Sequence, residues 1–252
     1  MVLTDYRING ASYVNEVVAH DYRTADVFRK YGIDFCCGGK WSLESVSVSH
    51  GISLENLLRE LKAATRTIHI SNALPFDEWK LDFLADYIIN VHHRYLHKSI
   101  HEIREYVDKF IQGHVKKYPE LAEMQTLIQR MEKHMIPHMQ QEEEIIFPYI
   151  KQIAYAYYNK ESYAGLLVRT LRKPVEDMMK NEHDVTNNQL KKLREMTNDY
   201  QLPEKACNMH RVTFYKLREF DNDLVQHLHL ENNILFPKAI QMEKELLLND
   251  SH

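Results

Sequence analysis

Ile89, His93, Leu96, Ile100, Ile103, Val107 and Phe110 step by 4, 3, 4, 3, 4 and 3 residues. That spacing confines them to one face of a long helix and fits no strand, whose period is two. Three further runs obey the same rule. Leu121, Met124, Ile128, Met131, Met135, His138, Glu142, Ile145 and Tyr149 alternate steps of 3 and 4 without a slip. Met179, His183, Thr186, Leu190 and Leu193 form the third run, and Leu217, Phe220, Leu224, His227, Glu231 and Ile234 the fourth. "GHVKKYP" and "NDYQLP" supply turns between runs. Four amphipathic segments with three connections predict an all-α chain whose larger part, 78–247, is an antiparallel up-down four-helix bundle. Glycine and proline number only 7 each in 252 residues, which leaves little material for tight turns and agrees with long helices.

Residues 1–65 read differently, as a small domain of short helices. Thr24 opens "TADVFRKYG", which Gly32 stops, and Ser53 caps "SLENLLRELKAAT". Between them lies "DFCCGGK", with adjacent Cys36 and Cys37 and the only glycine pair in the protein. Periodicity is lost over 66–77, which contains Pro75 and is the expected linker.

Charge and cysteine usage exclude several classes. A net charge of −4 gives no footprint for nucleic acid, and no basic run points to a membrane surface. No apolar stretch approaches a membrane span, and the N-terminus lacks the layout of a signal peptide. Three cysteines, two of them adjacent, make no disulfide framework. The expected location is the cytoplasm.

The chemistry lies where the apolar stripes are interrupted. His93, His138, Glu142, His183, His227 and Glu231 occupy positions the pattern reserves for the core. Burying ionised carboxylates is costly without a compensating partner. The chain also writes H-x-x-x-E-x-x-I-[IL]-F-P twice, as "HMQQEEEIIFP" at 138–148 and "HLHLENNILFP" at 227–237. The i, i+4 spacing sets each histidine one turn from its glutamate on one face. With turns centred near residues 116 and 205, the four histidines lie 23, 22, 22 and 22 residues from them, hence at one level of the bundle. A single structural zinc needs four ligands and favours Cys or His. Two His-x-x-x-Glu pairs plus two lone histidines suit two metal ions sharing carboxylates, and imidazole with carboxylate suits iron. If both glutamates bridge, together with an oxide or hydroxide, each iron keeps one open position. His92 falls off the stripe and reads as solvent-facing, and His97 and His101 lie beside it and read as surface.

These residues resemble the iron–sulfur cluster repair di-iron family, also called repair of iron centres. The resemblance rests on "DFCCGGK", "NEHD" and the paired motifs, and it covers nearly the whole chain. It implies a hemerythrin-like bundle whose ligands carry over onto His93, His138, Glu142, His183, His227 and Glu231. Hemerythrin-like sites often use a fifth histidine, but His114 lies 21 residues beyond His93, about 31 Å along an unbroken helix, and is left out. The resemblance further implies repair of clusters damaged by nitrosative or oxidative stress, through donation of labile iron. Cys36 and Cys37 would then hold iron in transit, engage a damaged cluster or exchange electrons. Partners would be proteins with damaged clusters, and nitric oxide or O2 would be the small ligands. Nitric oxide reduction at the same site, or sensing of oxygen or redox state, are the alternatives. A homodimer is allowed but not required.

Overall fold

The computed structural model describes residues 7–35, 40–66, 74–116, 118–119, 121–171 and 175–249, without the side chains of 171 and 175–184. Cys36, Cys37, most of the 66–77 segment and the His183 side chain lie outside the described residues. Among the described residues the regular structure is helical, with one isolated bridge between Tyr13 and Ser42. The all-α expectation therefore holds. The chain divides into two compact units, Met1–Ser71 with Tyr200–Leu217, and Asn72–Asp199 with Arg218–His252.

The first unit contains α1 (Val14–His20), α2 (Thr24–Lys30), α3 (Leu43–Ser49) and α4 (Leu54–Ala64). Helix starts follow from their caps: the Ser45 N–H donates to Ser42 Oγ at 3.2 Å, and the Asn56 N–H to Ser53 Oγ at 3.4 Å. Helix α2 stops because Gly32 takes a left-handed φ of +67°, a conformation that glycine adopts without steric cost. Val14, Val17, Phe28, Leu43, Leu57 and Leu61 are buried and form its apolar interior. The unit also takes in residues 200–217, which lie inside the 78–247 span expected for the bundle. Side chains account for that grouping. The Asn208 amide donates to the carbonyls of Asn15 and Phe35 at 3.0 and 3.3 Å, Lys216 pairs with Asp26, and Tyr22 lies 5.1 Å from Tyr215 between ring centres.

The second unit is the helical bundle. Its elements are α5 (Leu81–Tyr87), α6 (Arg94–His114), α7 (Leu121–Gln141), α8 (Phe147–Tyr158), α9 (Ala164–Leu171), α10 (Val175–Thr197), α11 (Asn208–Leu230, from Arg218 onward) and α12 (Phe236–Asn249). Helix α6 packs along α7 while α5 packs along α8, so the first two long runs form an antiparallel hairpin. Helix α10 lies against α7, and α12 against α8, α9 and α10. Leu96, Ile100, Ile103, Val107 and Phe110 on α6, and Met124, Ile128, Met131 and Met135 on α7, are buried as their spacing predicts.

The stripes do slip, and they slip at the polar residues. Three widened π-helical turns interrupt the long runs, at Ile88–His93, Glu142–Ile146 and Glu231–Leu235. In each of the last two, a phenylalanine N–H donates to the carbonyl five residues back: Phe147 to Glu142, and Phe236 to Glu231. The repeated proline explains both. Pro148 and Pro237 have no N–H, and in an ordinary helix each ring would meet the carbonyl four residues earlier. Widening the preceding turn relieves that clash and inserts one residue. The inward face therefore shifts by one position. Ile145, expected in the core, is 40% exposed, whereas Ile146 is 2% exposed. Ile234 is likewise only partly buried, while Leu235 is fully buried.

Phe147 follows the first of these turns, is fully buried, and stacks on His93 with ring centres 5.5 Å apart. Phe147→Ala should lower the unfolding free energy of the metal-free protein by roughly 3–5 kcal/mol in a denaturant titration. A loss below about 1 kcal/mol would contradict this packing.

Candidate metal centre

The π turns bring four side chains to one point. His93 ends the turn between α5 and α6, Glu142 opens the turn between α7 and α8, and His227 with Glu231 spans the end of α11 and the turn after it. One donor atom from each lies within 4.8 Å of all the others, and all four side chains are buried. The two imidazole Nε2 atoms of His93 and His227 face one another at 2.9 Å. His227 Nε2 lies 2.9 Å from Glu231 Oε1, and His93 Nε2 lies 3.6 Å from both Glu231 Oε1 and Glu142 Oε2.

Of the other two expected ligands, His138 sits at the edge of this cluster. Its Nε2 is 3.3 Å from Glu142 Oε1, and its side chain is 10% exposed. His134, one turn earlier on α7, stacks against it with ring centres 6.3 Å apart. His183 belongs to α10, but its side chain is outside the described residues. His114 is remote from the cluster along α6, and its Nδ1 lies 2.9 Å from the Phe110 carbonyl oxygen.

The donor set fits a metal ion on chemistry and on spacing. Metal–nitrogen and metal–oxygen bonds of about 2.0–2.2 Å, at angles near 90–110°, put neighbouring donors about 3.0–3.5 Å apart. The observed separations of 2.9–3.6 Å lie within about 0.1 Å of that range. Protonation also suits a cation. Burial pushes the His227 imidazole below its ordinary value, against the pull of Glu231. Burial alone would raise Glu231, but the attraction and hydrogen bond of His227, with a further bond from His93, hold its carboxyl well below the usual range. A neutral imidazole and an ionised carboxylate are the forms that bind metal.

Beyond the donors, Glu143 Oε1 lies 2.9 Å from His93 Nδ1. A carboxylate in that place fixes the ring and its tautomer, leaving Nε2 directed at the cluster. Sequence periodicity did not select Glu143, because it follows Glu142 directly and a regular helix would turn it away. His92 is a correction. Expected in solvent, it is 1% exposed, and its Nδ1 lies 3.2 Å from Asp223 Oδ1. The widened turn at Ile88–His93 lets both consecutive histidines turn inward. Asp223, His227 and Glu231 stand at i, i+4 and i+8, a spacing that could have identified the Asp223 partner. His101 is at the surface as expected, paired with Glu132 at 2.6 Å. His97 is only partly exposed, and burial pushes its imidazole down while Glu143 opposes the shift.

A metal-free site that buries two carboxylates is a stability liability. Replacing buried ionic groups by apolar ones is often neutral, or stabilising by about 1–4 kcal/mol. Metal-free Glu142→Leu/Glu231→Leu protein should therefore unfold at the same or higher denaturant concentration than metal-free wild type, while losing its metal binding. A double variant that still binds metal, or is markedly less stable without it, would refute the assignment.

Comparison with known proteins agrees with this geometry. A protein-family model described as the hemerythrin HHE cation binding domain matches residues 84–239, and an N-terminal ScdA domain of unknown function matches residues 10–65. The chain is 33% identical over 228 residues to the iron–sulfur cluster repair protein ScdA of Staphylococcus epidermidis, covering 90% of this chain and 96% of that protein. The ScdA protein of Staphylococcus haemolyticus is 29% identical over 92% of this chain and 99% of its own length. The iron–sulfur cluster repair protein YtfE of Yersinia pestis is 28% identical over 88% of this chain and 93% of its own length. With its buried His/Glu cluster set in a helical bundle behind an ScdA-type N-terminal domain, the chain belongs to the hemerythrin-like iron–sulfur cluster repair family.

Proposed function

We propose that the chain stores two iron ions in its bundle and gives them up to rebuild iron–sulfur clusters damaged by nitrosative or oxidative stress. The observation that carries this reading is the buried cluster of His93, Glu142, His227 and Glu231, in a chain whose relatives are named cluster repair proteins. His138 and His183 complete the proposed donor set. The two carboxylates and an oxide or hydroxide would bridge the ions. Iron supplies an exchangeable cation and a place for a small ligand such as nitric oxide or O2.

The protein's own residues set how firmly that cation is held. His93 is oriented by Glu143, which favours retention, whereas His227 Nδ1 has no hydrogen-bond partner among the described residues. A ring held on one side only exchanges its ligand more readily than one held on both. His138, at the less buried edge, is the donor nearest solvent among the described ones. Cys36 and Cys37 would receive the released ion or engage the client protein. No helix among the described residues is long and apolar enough to cross a membrane, and the proposed setting is the cytoplasm.

The test uses full-length protein loaded anaerobically with ferrous ion and mixed with a [4Fe–4S] protein whose cluster has been damaged by nitric oxide. Cluster absorbance should return with wild type. It should fail to return with Glu142→Leu/Glu231→Leu, and should return more slowly with Cys36→Ser/Cys37→Ser. Restoration by the metal-free double variant would overturn the donor reading. Steady formation of nitrous oxide without loss of iron would replace it with nitric oxide reduction.

A further inference from the structure

His92 repeats the arrangement of its neighbour. His93 has a carboxylate, Glu143, at Nδ1, and its Nε2 enters the metal cluster. His92 has a carboxylate, Asp223, 3.2 Å from Nδ1, and its Nε2 is buried with no hydrogen-bond partner among the described residues. An ionised carboxylate beside Nδ1 fixes the proton there and leaves the Nε2 lone pair facing outward from the ring. A lone pair sealed from water without a partner is costly, so such an atom is expected to meet a donor or a cation.

The surroundings point to a cation. The His92 ring centre is 6.2 Å from that of His227, and Asp223 stands one turn before His227 on α11. Tyr87 covers another side with its ring edge-on at 5.6 Å. Asp223 keeps its second oxygen, Oδ2, buried and without a hydrogen-bond partner among the described residues, so the pair adds negative charge beside the cluster. His92 and His93 are both buried at the widened turn Ile88–His93, one of three at this centre.

We propose that His92 is an additional imidazole ligand of the iron centre, oriented by Asp223 as His93 is by Glu143. This rests on the reading of the cluster as an iron site. It assigns Asp223 as a positioning residue and gives this chain one imidazole more than its repeated motifs and lone stripe histidines supply.

The experiment measures ferrous ion binding to full-length protein by chelator competition, and the number of imidazoles per iron by X-ray absorption. His92→Phe, which preserves a buried ring, should bind iron at least tenfold more weakly and show a smaller imidazole count. Asp223→Asn, nearly isosteric, should bind roughly 10–100-fold more weakly. It is the deciding variant if His92→Phe does not fold. Unchanged affinity and imidazole count in a folded variant would overturn the inference while leaving the iron site intact. A wild-type chain that binds no ferrous ion would overturn both.

Discussion

Two carboxylates and two imidazoles, buried within 4.8 Å of one another inside an apolar bundle, set the terms for the rest of the structure. Each ionised carboxylate would cost several kcal/mol to take out of water without compensation. The chain answers with opposed imidazoles, an orienting glutamate and a donor spacing that a cation can occupy. The long apolar stripes of α6 and α7 provide the rigid frame that holds these donors in place. Stability and function are therefore opposed at this centre: apolar residues would pack more favourably there, and only a bound cation gives these polar ones a reason to be buried.

The widened turns convert a repeated sequence motif into geometry. In both copies of H-x-x-x-E-x-x-I-[IL]-F-P the glutamate carbonyl accepts the long hydrogen bond of the turn. The same residue thus serves the backbone with its carbonyl and the cluster with its side chain. The proline favours the turn, and the phenylalanine before it is buried in both copies; Phe147 stacks on His93. The turn at Ile88–His93 has no proline and coincides with inward pairing of two consecutive histidines.

The helix class and the four clustered donors were legible because heptad spacing reports which side chains share a face. The stripe failed where the backbone stopped being a regular α-helix. Ile145 and Ile234 were chosen for the core by counting, and the inserted residue moved Ile146 and Leu235 there instead. The same irregularity hid His92: it continues the inward spacing of Leu81, Ala85 and Ile88, while the widened turn starts the next stripe at His93 and Leu96. Glu143 was hidden because its role depends on contact across 50 residues of chain, which periodicity does not report. The F-P ending of each motif was visible as a repeat. Its meaning as a device for widening a helix becomes clear only beside the backbone.

The most direct test of the central claim is the metal content of wild-type protein purified without oxygen, measured together with the iron-edge X-ray absorption spectrum. The account predicts two irons per chain with a mixed imidazole and carboxylate shell. A single zinc, or iron with a sulfur-dominated shell, would contradict it.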